Sequence, residues 1–258
     1  MPKLAANLSL LFREWPFPDR FAAAARAGFR HVECQFPYEW PAADLAQAAR
    51  DAGVNVVLHN LPAGDLAAGE IGIACHPGRE AEFRAGIEKA IDYARQLCCP
   101  RLNCLAGIAP RGANRDALLA TLVRNLRYAS ARLAEEGIEL LLEPLNTRSV
   151  PDFFLSRSDA AIELFDRVDT PNLRLQYDVF HMQIMEGDLA NRIERLLPRI
   201  GHIQIADVPR RNEPGTGEIN FPFLLRHIDS LGYSGWIGCE YNPSGDTVSG
   251  LGWAKPYL

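Results

Sequence analysis

Eight strand-sized apolar runs alternate with amphipathic or Ala-rich helical stretches from one end of this chain to the other. That alternation leaves few folds open, because strands joined through helices run parallel in one sheet. The strands read as AANLS near residue 5, HVECQ near 31, VNVVLHN near 54 and RLNCLAG near 101. They continue with ELLLE ending at Glu143, LRLQYD at Asp178, HIQ at Gln204 and WIGCE at Glu240. Helical periodicity covers residues 17–27, 43–52, 79–97, 115–136, 158–168, 189–197 and 221–231. Ser158 stands where an N-cap belongs, and Gly28, Gly53, Gly137 and Gly232 where helices end in a left-handed residue. At 258 residues, the pattern predicts an α/β fold with one domain over residues 1–258, a closed (β/α)8 TIM barrel.

The last four strands share a second property: each ends in a potential oxygen ligand. Strand side chains alternate between two faces. In these strands one face is apolar, as a helix-covered sheet requires, so the polar face points into a common interior. Glu143, Asp178, Gln204 and Glu240 then converge at the C-terminal mouth, where barrel enzymes keep their chemistry. Buried carboxylates repel one another unless a cation or protons intervene. The reading is a divalent-metal site formed by Glu143, Asp178, Gln204 and Glu240. Its all-oxygen donors favour Mg2+ or Mn2+ over zinc. Glu143 and Glu240 are the candidate catalytic pair that moves a proton. Gln204 reads equally as a hydrogen-bonded interior residue.

Around this set stand candidate substrate contacts. His181, read on the loop leaving the Asp178 strand, is placed to orient a hydroxyl or polarise a carbonyl. His59 and Asn60 end the third strand at the same mouth. Arg148 in NTRSVP and Arg211 in PRRNEPGTGEI carry guanidinium forks that suit a substrate carboxylate, or are solvated loop charges. His202 reads as an interior support, and His31, His76 and His227 as surface residues. Two long connections, 59–78 and 206–220, follow strands and so lie at the active face. The tail 243–258 is read as crossing the same rim or meeting another subunit.

Bulk properties exclude other classes. No apolar run approaches a membrane span, and MPKLAANLSL lacks a signal-peptide pattern. Six cysteines without CxxC spacing read as reduced thiols, which predicts a cytoplasmic protein. A net charge of −5 argues against nucleic acid as a partner. GTGE is not a phosphate-binding GxGxxG, and no Ser–His–Asp set or nucleophilic cysteine stands out. Oligomeric state stays open, with a homodimer as the default.

The stretches FPYEW, NLPAGDLAAGEIGIACHPGRE, EPLNTRSVPDFFL, LQYDVFHMQIMEGDLA, GHIQIADVPRRNEPGTGEINF and GYSGWIGCEYNPSG together resemble the hydroxypyruvate isomerase family. That family lies among the xylose-isomerase-like TIM barrels, and the likeness runs from AANLSLLF to GLGW. It implies isomerisation of a small anionic hydroxy-oxo acid, hydroxypyruvate to tartronate semialdehyde, through an enediolate. It also implies that Glu143 and Glu240 are proton donor and acceptor, and that Glu143, Asp178, Gln204 and Glu240 form the metal site. Three positions depart from the family pattern: Ile71 where Arg or Trp is common, Asn212 where His is, and Asn242 where Lys is. The rival activities are a 2-oxo-tetronate isomerase, a ketose 3-epimerase, an endonuclease-IV-like nuclease and an idle metabolite-binding barrel.

Overall fold

β1 (Lys3–Asn7) hydrogen-bonds to β2 (His31–Cys34) on one side and to β8 (Trp236–Cys239) on the other, which closes the sheet. Between them run β3 (Asn55–Asn60), β4 (Arg101–Cys104), β5 (Glu139–Leu142), β6 (Leu173–Asp178) and β7 (Ile200–Ile205). Every pairing is parallel, and all but the closing β1–β8 pair join sequence neighbours, so the computed structural model, which describes residues 1–258, is the expected (β/α)8 barrel. The outer layer contains α1 (Arg20–Arg26), α2 (Ala42–Ala52), α3 (Glu80–Leu97), α4 (Arg115–Ala134) and α5 (Ser158–Val168). It continues with α7 (Leu189–Leu196) and α8 (Phe221–Ser230), while a short α6 (Val179–Met185) follows β6 directly. No helix is long and apolar enough to cross a membrane.

Two apolar clusters of very different size show where burial stabilises the molecule. The larger holds 73 buried residues, chiefly between sheet and helices. The second contains Ala5, Val57, Leu58 and Leu141, with Trp236 packed against them. The rest of the barrel interior is polar: Asn7, Glu33, Asn103, Gln176, His202 and Gln204 are all buried. The polar-face reading thus holds beyond the four strands that suggested it. Gly238 belongs to this packing, since a Cβ there would collide with the Glu33 carboxylate.

Local signals held unevenly. Gly28, Gly53, Gly137 and Gly232 all have positive φ, at 101°, 67°, 69° and 77°. Ser158 is not the N-cap: Arg157 holds that position, and Ser158 begins the helix. Its N–H and Oγ donate instead to Glu186 at 3.0 and 2.7 Å. The first part of the tail lies on the rim as expected, where the Ser244 Oγ donates to Glu213 at 2.6 Å. The tail leaves the rim at Thr247, whose Oγ1 accepts the Phe12 N–H at 2.8 Å, and ends with Leu258 against Gly28. Its turns, Ser249–Trp253 and Lys255–Tyr257, thus cover the outside of the barrel where a helix after β8 would pack.

Both long connections lie at the C-terminal face. In residues 206–220 the Asp207 carboxylate accepts the N–H groups of Val208, Gly215, Gly217 and Ile219 at 2.9–3.1 Å. One carboxylate satisfying four backbone donors makes this loop a fixed structure. In 61–79, Glu70 accepts from the Asp65 N–H and pairs with Arg79.

Candidate active site

The mouth of the barrel opens into a cavity of about 360 Å3. Its polar lining is Gln35, Asn60, Glu143, His181, Arg211 and Glu240, with Glu70 and Ser149 from loops, and other loop residues such as Phe36, Ile71, Leu105 and Val150 supply apolar surface. A pocket with a few convergent polar groups on an apolar wall suits a small polar ligand.

Glu143 and Glu240 each sit one residue past their strand and are 4% exposed, so burial dominates their chemistry. The Glu143 Oε2 accepts from Asn103 Nδ2 at 2.8 Å and Gln176 Nε2 at 2.9 Å. Burial, with Glu240 and Asp178 nearby, pushes its carboxyl well above the usual carboxylate range. Glu240 Oε1 accepts from Gln35 Nε2 at 2.7 Å, and its Oε2 accepts from Arg211 Nη2 at 2.7 Å. Burial raises Glu240 to about 7, with the Arg211 charge pulling the other way. The two carboxyls therefore differ in partner: neutral amides alone hold Glu143, while Glu240 has a guanidinium beside its amide.

Asp178 divides its two oxygens between fold and site. Its Oδ1 caps α6, accepting from the Phe180 N–H at 2.7 Å. Its Oδ2 lies 3.4 Å from His181 Nε2 and 3.3 Å from Arg211 Nη2. The cap corrects the placement of His181, which lies in the first turn of α6 and not on a loop. Asp followed by an apolar run is a helix-start signal that could have found this. His181 Nδ1 receives the Asn146 N–H at 3.0 Å and the Asn146 Nδ2 at 2.7 Å. A nitrogen that accepts a backbone N–H has no proton, so the network assigns the proton of the neutral ring to Nε2. Burial lowers this histidine to about 4, which keeps it neutral.

Ligand atoms of Glu143, Asp178 and His181 lie within 4.8 Å of one another, a spacing that fits one divalent cation. The two carboxylates fit a hard ion by charge as well. His181 fits less well, because its Nε2 carries the proton in the tautomer that Asn146 imposes. The expected ligand Gln204 has both ends of its amide engaged by neighbours. Its Nε2 donates to Glu33 Oε1 at 2.7 Å, and its Oε1 accepts from Gln176 Nε2 at 2.6 Å. Glu240 is outside the group of three, engaged by Arg211.

Beneath the cavity lies a residue the sequence reading passed over. Glu33 is fully buried and accepts from Asn7 Nδ2 at 2.9 Å, His202 Nε2 at 2.7 Å and Gln204 Nε2. His202 is in the supporting position expected of it. Asn7, Glu33, Gln35 and Asn103 are further interior polar residues that the alternation behind Glu143 also marks, and Gln176 shares the polar face of its strand with Asp178.

The remaining candidates divide. Asn60 lines the cavity, and its Oδ1 accepts from Asn103 Nδ2 at 3.1 Å. His59 does not: its ring packs edge-on against Tyr38, with Nδ1 at 3.3 Å from the Tyr38 hydroxyl, and burial lowers it to about 4. Arg211 enters the site, whereas Arg148 is exposed and does not line the cavity. His76 Nε2 meets the Ile108 carbonyl at 2.7 Å, His227 stacks on Phe223, and His31 packs on Trp236. Of the three departures only Ile71 lines the cavity. Asn212 and Asn242 face each other outside it, with Asn212 Nδ2 donating to the Asn242 carbonyl at 2.7 Å.

A family model for xylose isomerase-like TIM barrels matches residues 21–257. The hydroxypyruvate isomerase of Escherichia coli (strain K12) is 50% identical over 257 residues, covering 100% of this chain and 100% of that protein. The 2-oxo-tetronate isomerase of Pectobacterium atrosepticum is 49% identical over 258 residues, covering 100% and 98%. The crystal structure of an AP endonuclease, family 2, from Brucella melitensis superimposes with a TM-score of 0.98 at 47% identity, covering 100% of this chain and 99% of that one. With one family model across most of its length and relatives about half identical from end to end, the chain belongs to the xylose isomerase-like TIM barrel family.

Proposed function

We propose that this sugar-acid isomerase interconverts hydroxypyruvate and tartronate semialdehyde, with Glu143 and Glu240 as its acid–base pair. The observation that carries the reading is the lining of one small cavity by both glutamates together with His181 and Arg211. In the forward direction a proton leaves C3 and another is delivered to C2, while the C3 hydroxyl proton passes to the C2 oxygen. No outside oxidant or reductant is needed. Glu240, ion-paired with Arg211, is the carboxylate that takes the C3 proton. Glu143, held by two neutral amides, supplies the proton to C2. His181 donates a hydrogen bond from its Nε2–H to the C2 oxygen, where negative charge develops, and keeps its proton. Arg211 faces the substrate carboxylate. A divalent ion held by Glu143 and Asp178, Mg2+ or Mn2+ by the donor type, would supply further positive charge beside the reacting oxygens.

The substrate is tested by comparing turnover of hydroxypyruvate with that of a 2-oxo-tetronate, using wild type, Glu143→Gln and Glu240→Gln. The expected result is faster turnover of the three-carbon acid, with each variant slowed by about 10²–10⁴. Preference for the four-carbon acid would move the substrate and keep the mechanism. Wild-type rates in both variants would remove the mechanism itself. The Brucella relative's name raises a second reading, cleavage of abasic DNA. A carboxylate-lined cavity in a chain of net charge −5 opposes a phosphate backbone, and an abasic oligonucleotide assay decides the point.

A further inference from the structure

Arg211 reaches the carboxylate cluster from a loop built to deliver it. Its backbone is left-handed, with φ of 58°, a conformation that side-chain-bearing residues rarely adopt. Two backbone bonds hold it there: Arg211 N–H to the Asp207 carbonyl at 2.9 Å, and Asn242 N–H to the Arg211 carbonyl at 2.8 Å. The guanidinium lies 5.1 Å from the Phe180 ring centroid. One nitrogen, Nη2, spans Glu240 Oε2 at 2.7 Å and Asp178 Oδ2 at 3.3 Å, while Nε is buried with no partner. Burial works against this charge, but Glu240, Asp178 and Glu143 outweigh it and hold the guanidinium protonated.

A guanidinium in this position does for the carboxylates what a divalent ion would do. The two cations cannot both contact the Asp178 carboxylate without repelling each other at short range. We propose that Arg211 is an internal counter-cation that competes with a divalent ion for the Asp178 carboxylate, which the ion's group of Glu143, Asp178 and His181 shares with it. Filling the site with the ion displaces the guanidinium toward the cavity. There its unpartnered Nε and freed Nη2 together form a fork for the carboxylate of a 2-oxo acid. Only that last step rests on the isomerase reading; the competition stands without it. Exposed Arg148 provides no second cation at this place.

The test is Mn2+ binding by isothermal titration calorimetry, on chelator-treated wild type, Arg211→Gln and Arg211→Lys, with circular dichroism to check folding. Arg211→Gln binds Mn2+ about tenfold or more tightly than wild type, because a competing charge has gone. Arg211→Lys falls between, since an ammonium holds one carboxylate at a time. Adding Asp178→Asn to Arg211→Gln abolishes the gain and so locates the ion. Binding by Arg211→Gln equal to or weaker than wild type overturns the proposal, as does a gain that survives Asp178→Asn. Should Arg211→Gln fail to fold, Arg211→Lys decides: tighter binding supports the competition, and unchanged or weaker binding ends it. Failure of the isomerase reading shows separately, as absence of hydroxypyruvate turnover by wild type, on which this titration does not depend.

Discussion

The backbone N–H of Asn146 points at His181 Nδ1 from 3.0 Å, and this bond fixes which face of the imidazole can donate. The Nε2 proton is then directed toward Asp178 Oδ2 and the cavity. Because the donor is a main-chain group, substitution at Asn146 leaves the tautomer in place.

His181→Ala removes the neutral donor proposed to face the C2 oxygen, and kcat should fall by about 10²–10³. His181→Asn, which keeps a donor, should recover part of that loss, and Asn146→Ala should cost less than either. Steady-state kinetics on folded variants checks this order. A fall confined to KM would assign His181 to substrate binding alone.

His59 makes stability pH-dependent. Burial lowers it from 6.5 to about 4, so the unfolded chain takes up a proton in that interval and the folded chain does not. Its contribution is present above pH 6.5 and is lost as pH falls toward 4. Between pH 7 and 4.5 the loss is about 2–3 kcal/mol at 1.36 kcal/mol per pKa unit. Urea unfolding of wild type and His59→Gln at both pH values measures it. Identical pH dependence in the two proteins would mean that the ring is not held neutral.

Glu33→Gln should destabilise the fold by about 2–4 kcal/mol, because its one new NH2 group would face either the His202 Nε2 donor or the Gln204 and Asn7 amide donors. Chemical denaturation gives the number. A change below about 0.5 kcal/mol would show that the interior network reorganises freely.

Ile71 lines the cavity, whereas Asn212 and Asn242 hydrogen-bond to each other beyond it. Ile71→Arg should shift the ratio of kcat/KM between three- and four-carbon 2-oxo acids by about tenfold or more. Asn212→His and Asn242→Lys should leave that ratio within about twofold. The reverse pattern would place substrate selection on the rim.

Local patterns read well when their cause is local. The period-two alternation in ELLLE and LRLQYD and the Gly stops after helices depend on neighbours in sequence, and the chain shows them where expected. His181 was misplaced because Asp178, taken as a strand end, is also the cap of the next helix. Ser158 lost its cap role to a partner, Glu186, 28 positions away.

By itself the sequence determined an eight-stranded parallel barrel and the placing of Glu143, Asp178 and Glu240 at its mouth. Strand periodicity and the C-terminal ends of the strands are properties of short segments. Only the tertiary structure decided that Arg211 enters the cavity while Arg148 stays in solvent. It alone decided that Gln204 turns its amide to Glu33 and Gln176, and that Glu33 lies beneath the site. Those outcomes depend on which donor meets which acceptor across the barrel. Loop closure around Asp207 and the matching of buried polar groups set that, and both join residues far apart in the chain.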